Sequence, residues 1–165
     1  MTARKIITLS ILLISSFQTL ADEKIINVDT VAQYHDEQVI QSNIIDECTQ
    51  LGTQFSTSTK KYLEKNGWSV NFNSNADEKI DGTKLELKII NAMSTGNAFT
   101  GHRKSVSIEA KLFKDGNFID SYKATRSSGG GFLGGFKGSC SILAHCVNTL
   151  GNDVSKWLKK NDGES

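Results

Sequence analysis

Cys140 is the residue of this sequence best placed to act as a nucleophile. It directly precedes a segment with helical periodicity, and the N-terminus of a helix lowers the pKa of a thiol. His102 and His145 are the side chains that could serve as its base. His145, however, lies near the opposite side of a helix whose first turn contains Cys140. The sequence therefore favours a structural disulfide at Cys140 over a thiol-dependent enzyme, and we assign no catalytic residue.

The other residues with ligating or acid–base chemistry are scattered along the chain. His35, His102 and His145 are widely separated, and neither an HExxH nor a CxxC pattern is present. The acidic residues Asp77, Glu78 and Asp81 lack the spacing and the terminal bidentate glutamate of a calcium-binding loop. We predict neither a metal ion nor any other cofactor.

One segment has an unusual composition, because six of the 14 glycines fall within residues 129–138. A glycine-rich loop before a helix can cradle a phosphate group. The P-loop pattern requires Gly-Lys-Ser/Thr at its end, whereas Gly135 is followed by Phe136. A nucleotide-binding site is therefore not predicted here.

The same segment is a candidate interaction loop. Its proposed contact residues are Gly130, Gly131, Phe132, Leu133, Gly134, Gly135 and Phe136. If the three large apolar side chains are exposed, they form a patch suited to a partner or to self-association. Alternatively, they pack against the edge of a sheet, where glycine permits close backbone approach. The sequence leaves both interpretations open.

The three cysteines agree with an oxidising compartment. We predict a local disulfide between Cys140 and Cys146. Six positions along a straight helix separate two residues by about 9 Å, which is beyond disulfide reach. The pair therefore requires Cys140 to lie before or at the helix start. A bond from Cys48 to either Cys140 or Cys146 is the alternative, and otherwise Cys48 is a small buried hydrophobe.

Residues 1–21 have the features of a secretory signal peptide. Arg4 and Lys5 precede an apolar run of roughly 12 residues, which is shorter than the ~20 that a membrane span needs. We expect cleavage between Ala21 and Asp22, and a soluble mature protein in the periplasm or outside the cell with no transmembrane segment. Cleavage changes the formal net charge from +1 to −1, which does not suggest nucleic acid as a partner.

Hydrophobic periodicity predicts one domain over residues 22–160, followed by a polar tail at 161–165. An apolar helical face runs from Ile44 to Leu63 and ends at Asn66-Gly67. A second helical face runs from Ile142 to Leu158. Alternating residues predict strands in 24–31, 68–72, 84–89, 106–112 and 118–126, with a hairpin turn at Asp115-Gly116 and loops at 73–83 and 92–103.

These elements predict an α+β fold. The strand–helix–strand beginning implies a parallel pair, and the later strands form an antiparallel meander. Both helices carry a single apolar face, so both should cover the same face of the sheet. The expected architecture is a two-layer sandwich with a mixed sheet of four to five strands and two long helices on one face.

This arrangement resembles small envelope proteins of Gram-negative bacteria, on the basis of the export signal, Gly67-Trp68 and the segment SSGGGFLGGFKGSC before the last helix. Their domain is similar to the N-terminal domain of TolB and to the periplasmic part of the curli secretion protein CsgG. The resemblance implies a non-enzymatic protein that binds or helps to assemble another envelope component, or itself. The alternative is a periplasmic inhibitor or immunity protein or, in the enzyme class, a thiol-dependent envelope enzyme.

Overall fold

The computed structural model describes residues 24–73, 81–97, 101–128 and 138–162. The predicted signal peptide and the glycine-rich segment 129–137 lie outside these ranges. Six strands and three α-helices are present in the described part, together with a single 3₁₀ turn. They are β1 (Ile25–Asp29), β2 (Gln33–Tyr34), the 3₁₀ turn (Glu37–Val39), α1 (Ser42–Glu47), α2 (Leu51–Lys65), β3 (Ser69–Asn73), β4 (Thr83–Asn97), β5 (Gly101–Lys114), β6 (Asn117–Ser128) and α3 (Ser139–Asp162).

The strands form one mixed sheet in the order β3-β1-β4-β5-β6, and the short β2 also pairs with β4. β1 is parallel to both β3 and β4. β4, β5 and β6 form an antiparallel meander. The predicted α+β fold with a mixed sheet is therefore confirmed.

Helices α2 and α3 pack against each other and cover one face of the sheet. The core lies between the two layers, and its members come from alternate positions of the strands and from one face of each helix. Its largest fully buried side chains are Phe55, Ile26, Ile44, Leu51, Leu63, Leu85, Leu87, Ile89, Ile108, Leu143, Leu150 and Leu158. Gly151 allows the helices to approach closely, because a Cβ at this position would lie 2.7 Å from the backbone nitrogen of Thr59.

Both predicted glycine turns are confirmed. Asp115 and Gly116 have φ angles of 50° and 78°, as the two central residues of a tight hairpin turn require. Gly67, with φ of 90°, follows the end of α2. The amide of Trp68 then donates to the carbonyl of Leu63 at 3.1 Å, which satisfies one of the last carbonyls of the helix.

Three boundaries differ from the prediction. The first helical face is divided between α1 and α2, because Cys48 leaves helical geometry with φ of −103° and ψ of 43°. Residues 92–103, predicted as a loop, are largely strand, since β4 runs to Asn97 and β5 begins at Gly101. α3 continues to Asp162, into the predicted tail. Hydrogen bonding between strands extends β4 and β5 through polar residues that show no alternation.

Candidate functional site

The glycine-rich interaction loop lies outside the described residues, so contacts of Phe132, Leu133 and Phe136 stay a prediction. The structure does describe the two ends of that segment. It leaves β6 after Ser128 and enters α3 at Ser139. The candidate site can therefore be built from the groups that hold these two ends.

The predicted disulfide between Cys140 and Cys146 is wrong, because Cys140 is bonded to Cys48, with 5.2 Å between the two Cα atoms. Cys140 is the second residue of α3, so the helix itself carries Cys146 away along its axis. Cys146 is a free thiol in the core and is only 2% exposed. Burial raises the pKa of Cys146, which makes this thiol a poor nucleophile.

A polar cluster beside the disulfide also holds the start of α3. The ammonium of Lys104 donates to Ser94 Oγ at 2.8 Å, and Ser94 Oγ lies 3.1 Å from Ser139 Oγ. The amide of Ser94 donates to Gln41 Oε1 at 2.6 Å. Lys104 is only 5% exposed. The sequence did not predict this cluster. One signal was available, because alternation along β5 places Lys104 on the same face as the apolar residues Val106 and Ile108.

β6 is the last strand of the described sheet, and α3 holds one of its faces firmly. The ring of Tyr122 stacks on Trp157 with centroids 5.7 Å apart. Asp120 accepts hydrogen bonds from Trp157 Nε1 at 3.1 Å and from Asn161 Nδ2 at 2.8 Å. These contacts fix the backbone of β6.

Arg126 adds a charged contact at the other end of the same face of β6. Its Nε donates to Asp153 Oδ2 at 2.8 Å.

No described strand pairs with the far side of β6. We call that side the β6 edge, and it extends over the 12 residues Asn117–Ser128.

The opposite edge of the sheet is treated differently. β3 has only five residues. Lys60 of α2 lies across it, since its ammonium donates to the carbonyl of Val70 at 3.0 Å and lies 4.8 Å from the ring centroid of Phe72. A lysine over a short strand is a common way to prevent further strand pairing. The two edges of the sheet are therefore unequal, because within the described chain only β3 is covered in this way.

The sheet face that points away from the helices carries alternating charges. Glu109 on β5 lies opposite Lys88 on β4 and Lys123 on β6. Its carboxylate is 3.1 Å from Lys123 Nζ and 3.6 Å from Lys111 Nζ. Burial by itself would raise the pKa of Glu109. The hydrogen bond from Lys123 and the charge of Lys111 outweigh burial and hold this pKa below its ordinary value. This face carries a layer of ion pairs centred on Glu109.

A pocket of about 320 Å³ opens at the end of the sheet opposite Ser94 and Lys104. Its lining includes Trp68, Leu112, Ile119 and Leu158. Lys24 and Asp162 form an ion pair at its rim. Within the described residues, no group of three or more His, Cys, Asp or Glu side chains is arranged to hold a metal ion there or elsewhere.

Asp29 is a buried carboxylate at the point where β1 separates from β4. One of its oxygens accepts the amide of Leu87 at 3.3 Å, while the other has no partner among the described residues. Burial raises the pKa of Asp29, and Glu86 adds to this, whereas the Leu87 amide, Lys84 and Lys88 oppose it. The Asp29 carboxylate connects β1 to β4 by accepting the Leu87 amide where the two strands separate. Its burial at this connection is what raises its pKa.

We expect Asp29→Asn to raise the free energy of unfolding at pH 7 by about 1 kcal/mol, because it removes a partly unsatisfied buried charge. The folded chain binds the Asp29 proton more tightly than the unfolded chain does. The charged carboxylate therefore costs stability above its raised pKa, and this cost disappears as the pH falls toward the ordinary value of about 3.9. Urea unfolding of both proteins at pH 7 and pH 4 measures the effect. A gain equal at both pH values would contradict this origin.

Comparison with known proteins reveals the fold in other chains. The structure is similar to protein XCC0632 from Xanthomonas campestris, of the DUF330 family, with a TM-score of 0.61 and 12% identity over 87% of this chain and 89% of that one. It is also similar to a subunit of the PelC dodecamer from Paraburkholderia phytofirmans, with a TM-score of 0.51 and 15% identity over 81% of this chain and 89% of that one. Lipoprotein GNA1162 from Neisseria meningitidis matches with a TM-score of 0.49 and 13% identity over 81% of this chain and 99% of that one.

These likenesses show a shared fold at low sequence identity, in proteins of Gram-negative bacteria. No protein-family model matches the chain. No curated protein matches it either. The resemblance to TolB and CsgG stays a prediction. Among the described residues, no helix has both the length and the apolar character that crossing a bilayer requires.

Proposed function

We propose that this chain is an exported, non-enzymatic envelope protein that assembles with copies of itself or with another envelope component. The observation that carries the proposal is the β6 edge. It offers 12 residues of strand backbone beyond which no described strand pairs, while Lys60 covers the opposite edge of the sheet. An unpaired strand edge binds extended backbone from another chain through main-chain hydrogen bonds.

The solved structures support this proposal in one respect. The PelC protein, which has a similar fold, forms a dodecamer, so this type of sheet and helix layer is compatible with assembly from many copies. The predicted signal peptide supports assembly in the envelope. The bond between Cys48 and Cys140 argues against the thiol-dependent enzyme, because it leaves no thiolate at the start of α3.

The native molecular mass and capture from envelope extract test the proposal together. We expect the purified, oxidised protein to elute as a multiple of its monomer mass at micromolar concentration, or to retain a discrete envelope protein. Light scattering after size exclusion measures the first, and mass spectrometry of the eluate identifies the second. A protein that is monomeric at every concentration and retains nothing would contradict the proposal.

The glycine-rich loop is a second candidate surface, favoured by the way its ends are held. The Cys48–Cys140 bond and the Lys104 cluster fix α3 at its first turn, so residues 129–137 must bridge two rigid points. A Phe132→Ala/Phe136→Ala variant tests this loop. Phe72→Ala is the matched control, because Phe72 is 40% exposed and lies on β3, outside both the loop and the β6 edge. Loss of a captured partner with the double variant alone would assign partner binding to the loop, and a captured enzyme would indicate an inhibitor or immunity protein.

A further inference from the structure

The charges beside the β6 edge are complementary to those of a second copy of the same strand. Asp120 and Arg126 lie on the face of β6 that points toward α3, six positions apart, with Lys123 midway between them in sequence. When two copies of the strand run antiparallel with Lys123 opposite Lys123 of the partner subunit, each Asp120 lies opposite an Arg126 and each Arg126 opposite an Asp120. Directly opposite residues of an antiparallel pair share one face and are in contact.

We propose that two copies of this protein pair through their β6 edges, antiparallel and about a two-fold axis at Lys123, so that the two sheets form one continuous sheet. This inference rests on the proposed function and specifies its partner, its surface and its register. A two-fold axis places the same strand on both sides of the interface, so a single self-complementary edge is sufficient.

The side chains near the axis also fit this register. Tyr122, held by its stack on Trp157, lies opposite the small side chain of Ala124 from the other copy. Ser121 lies opposite Thr125, a hydroxyl pair of the kind that Ser107 and Thr125 already form within one chain at 2.7 Å. Tyr122 and Ala124 share one face of the new pair, and the hydroxyl groups share the other.

Two positively charged groups meet at the axis, and the structure supplies their counter-charges. Lys123 is directly opposite its own copy, but the Glu109 carboxylate lies 3.1 Å from each Lys123 ammonium. Each copy therefore supplies a glutamate beside its Lys123, and the second oxygen of that carboxylate lies 3.6 Å from Lys111 Nζ of the same copy. On the other face, Arg126 bonds to Asp153 through Nε, which leaves its terminal nitrogens available for a second carboxylate.

Cysteine cross-linking tests the register. We expect Lys123→Cys to form an intermolecular disulfide readily in air, because paired Cα atoms across antiparallel strands are about 4.5–5.5 Å apart. Lys111→Cys is the matched control, since Lys111 lies on the same face but on β5, one strand inward from the edge. Covalent dimer on a non-reducing gel for the first variant and not for the second supports the inference.

Charge reversal tests the same register without a cross-link. Arg126→Glu places a carboxylate opposite Asp120 of the partner subunit, and we expect it to weaken dimerisation by about tenfold or more. Arg126→Gln, which removes the charge without repulsion, should weaken it less. Sedimentation equilibrium measures both, and circular dichroism confirms that each variant is folded.

The possible outcomes separate this inference from the proposed function. A native oligomer in which Lys123→Cys cross-links no faster than Lys111→Cys would overturn the β6 register while the proposed assembly stands. A monomeric protein that captures a different envelope protein would also overturn it, and the proposed function would again stand. A monomeric protein that captures nothing would overturn both.

Discussion

Replacing Cys48 and Cys140 with alanine should lower the free energy of unfolding by about 2–4 kcal/mol. The bond joins residues 92 positions apart, so it removes much of the freedom of the unfolded chain. In the chain-entropy model a loop of about 100 residues gains roughly 4.7 kcal/mol, which places this bond toward the upper end of the range. Denaturant unfolding of the oxidised protein and of the double variant measures the difference.

Thiol counting provides the control for this pairing. The oxidised native protein should contain one thiol, that of Cys146, which reacts only after unfolding because it is buried and its pKa is raised. Cys48→Ala should contain two thiols, from Cys140 and Cys146. A Cys48→Ala protein without any free thiol would instead show that Cys140 and Cys146 pair, in contradiction to the structure.

Phe55→Ala should lower the free energy of unfolding by about 3–5 kcal/mol. Phe55 lies in α2, is completely inaccessible to solvent and belongs to the core between helices and sheet. Its loss removes the transfer free energy of the ring and leaves a cavity that neighbouring side chains fill only partly. For a chain of this size each kcal/mol lowers the melting temperature by about 2–4 °C.

Phe55→Leu is the matched control for the cavity. It keeps most of the apolar volume, so we expect a clearly smaller loss of stability than for Phe55→Ala. Thermal unfolding followed by circular dichroism compares the two. If alanine and leucine cost the same, the core does not close around this ring as the structure shows.

The fold class could be predicted because its signals are local. Alternation such as Leu85, Leu87 and Ile89 depends only on which side of a strand each residue occupies. Asp115-Gly116 and Gly67 mark turns by their own backbone angles. The polar ends of β4 and β5 were not predicted, because their strand structure comes from pairing with each other rather than from alternation.

The candidate sites depended on contacts that no local pattern contains. Alternation places Lys104 on the buried face of β5 with Val106 and Ile108, but only the pairing of β4 with β5 places it opposite Ser94 and under the start of α3. The β6 edge likewise follows from strand order, since a strand has an outer edge only when no neighbour occupies it.

The glycine turns and the apolar periods by themselves determined a two-layer α+β chain, because each of these signals acts within a few residues. The sequence also showed three cysteines that could form a disulfide, and their spacing favoured a bond between the nearest two, Cys140 and Cys146. Only the tertiary structure decided that Cys48 bonds to Cys140. The packing of α1 against α3 brings the Cα atoms of these two cysteines to 5.2 Å. Cys146 lies farther along the axis of α3 than Cys140 and is carried away from it. Distances across the core depend on how whole elements pack, and sequence separation does not report them.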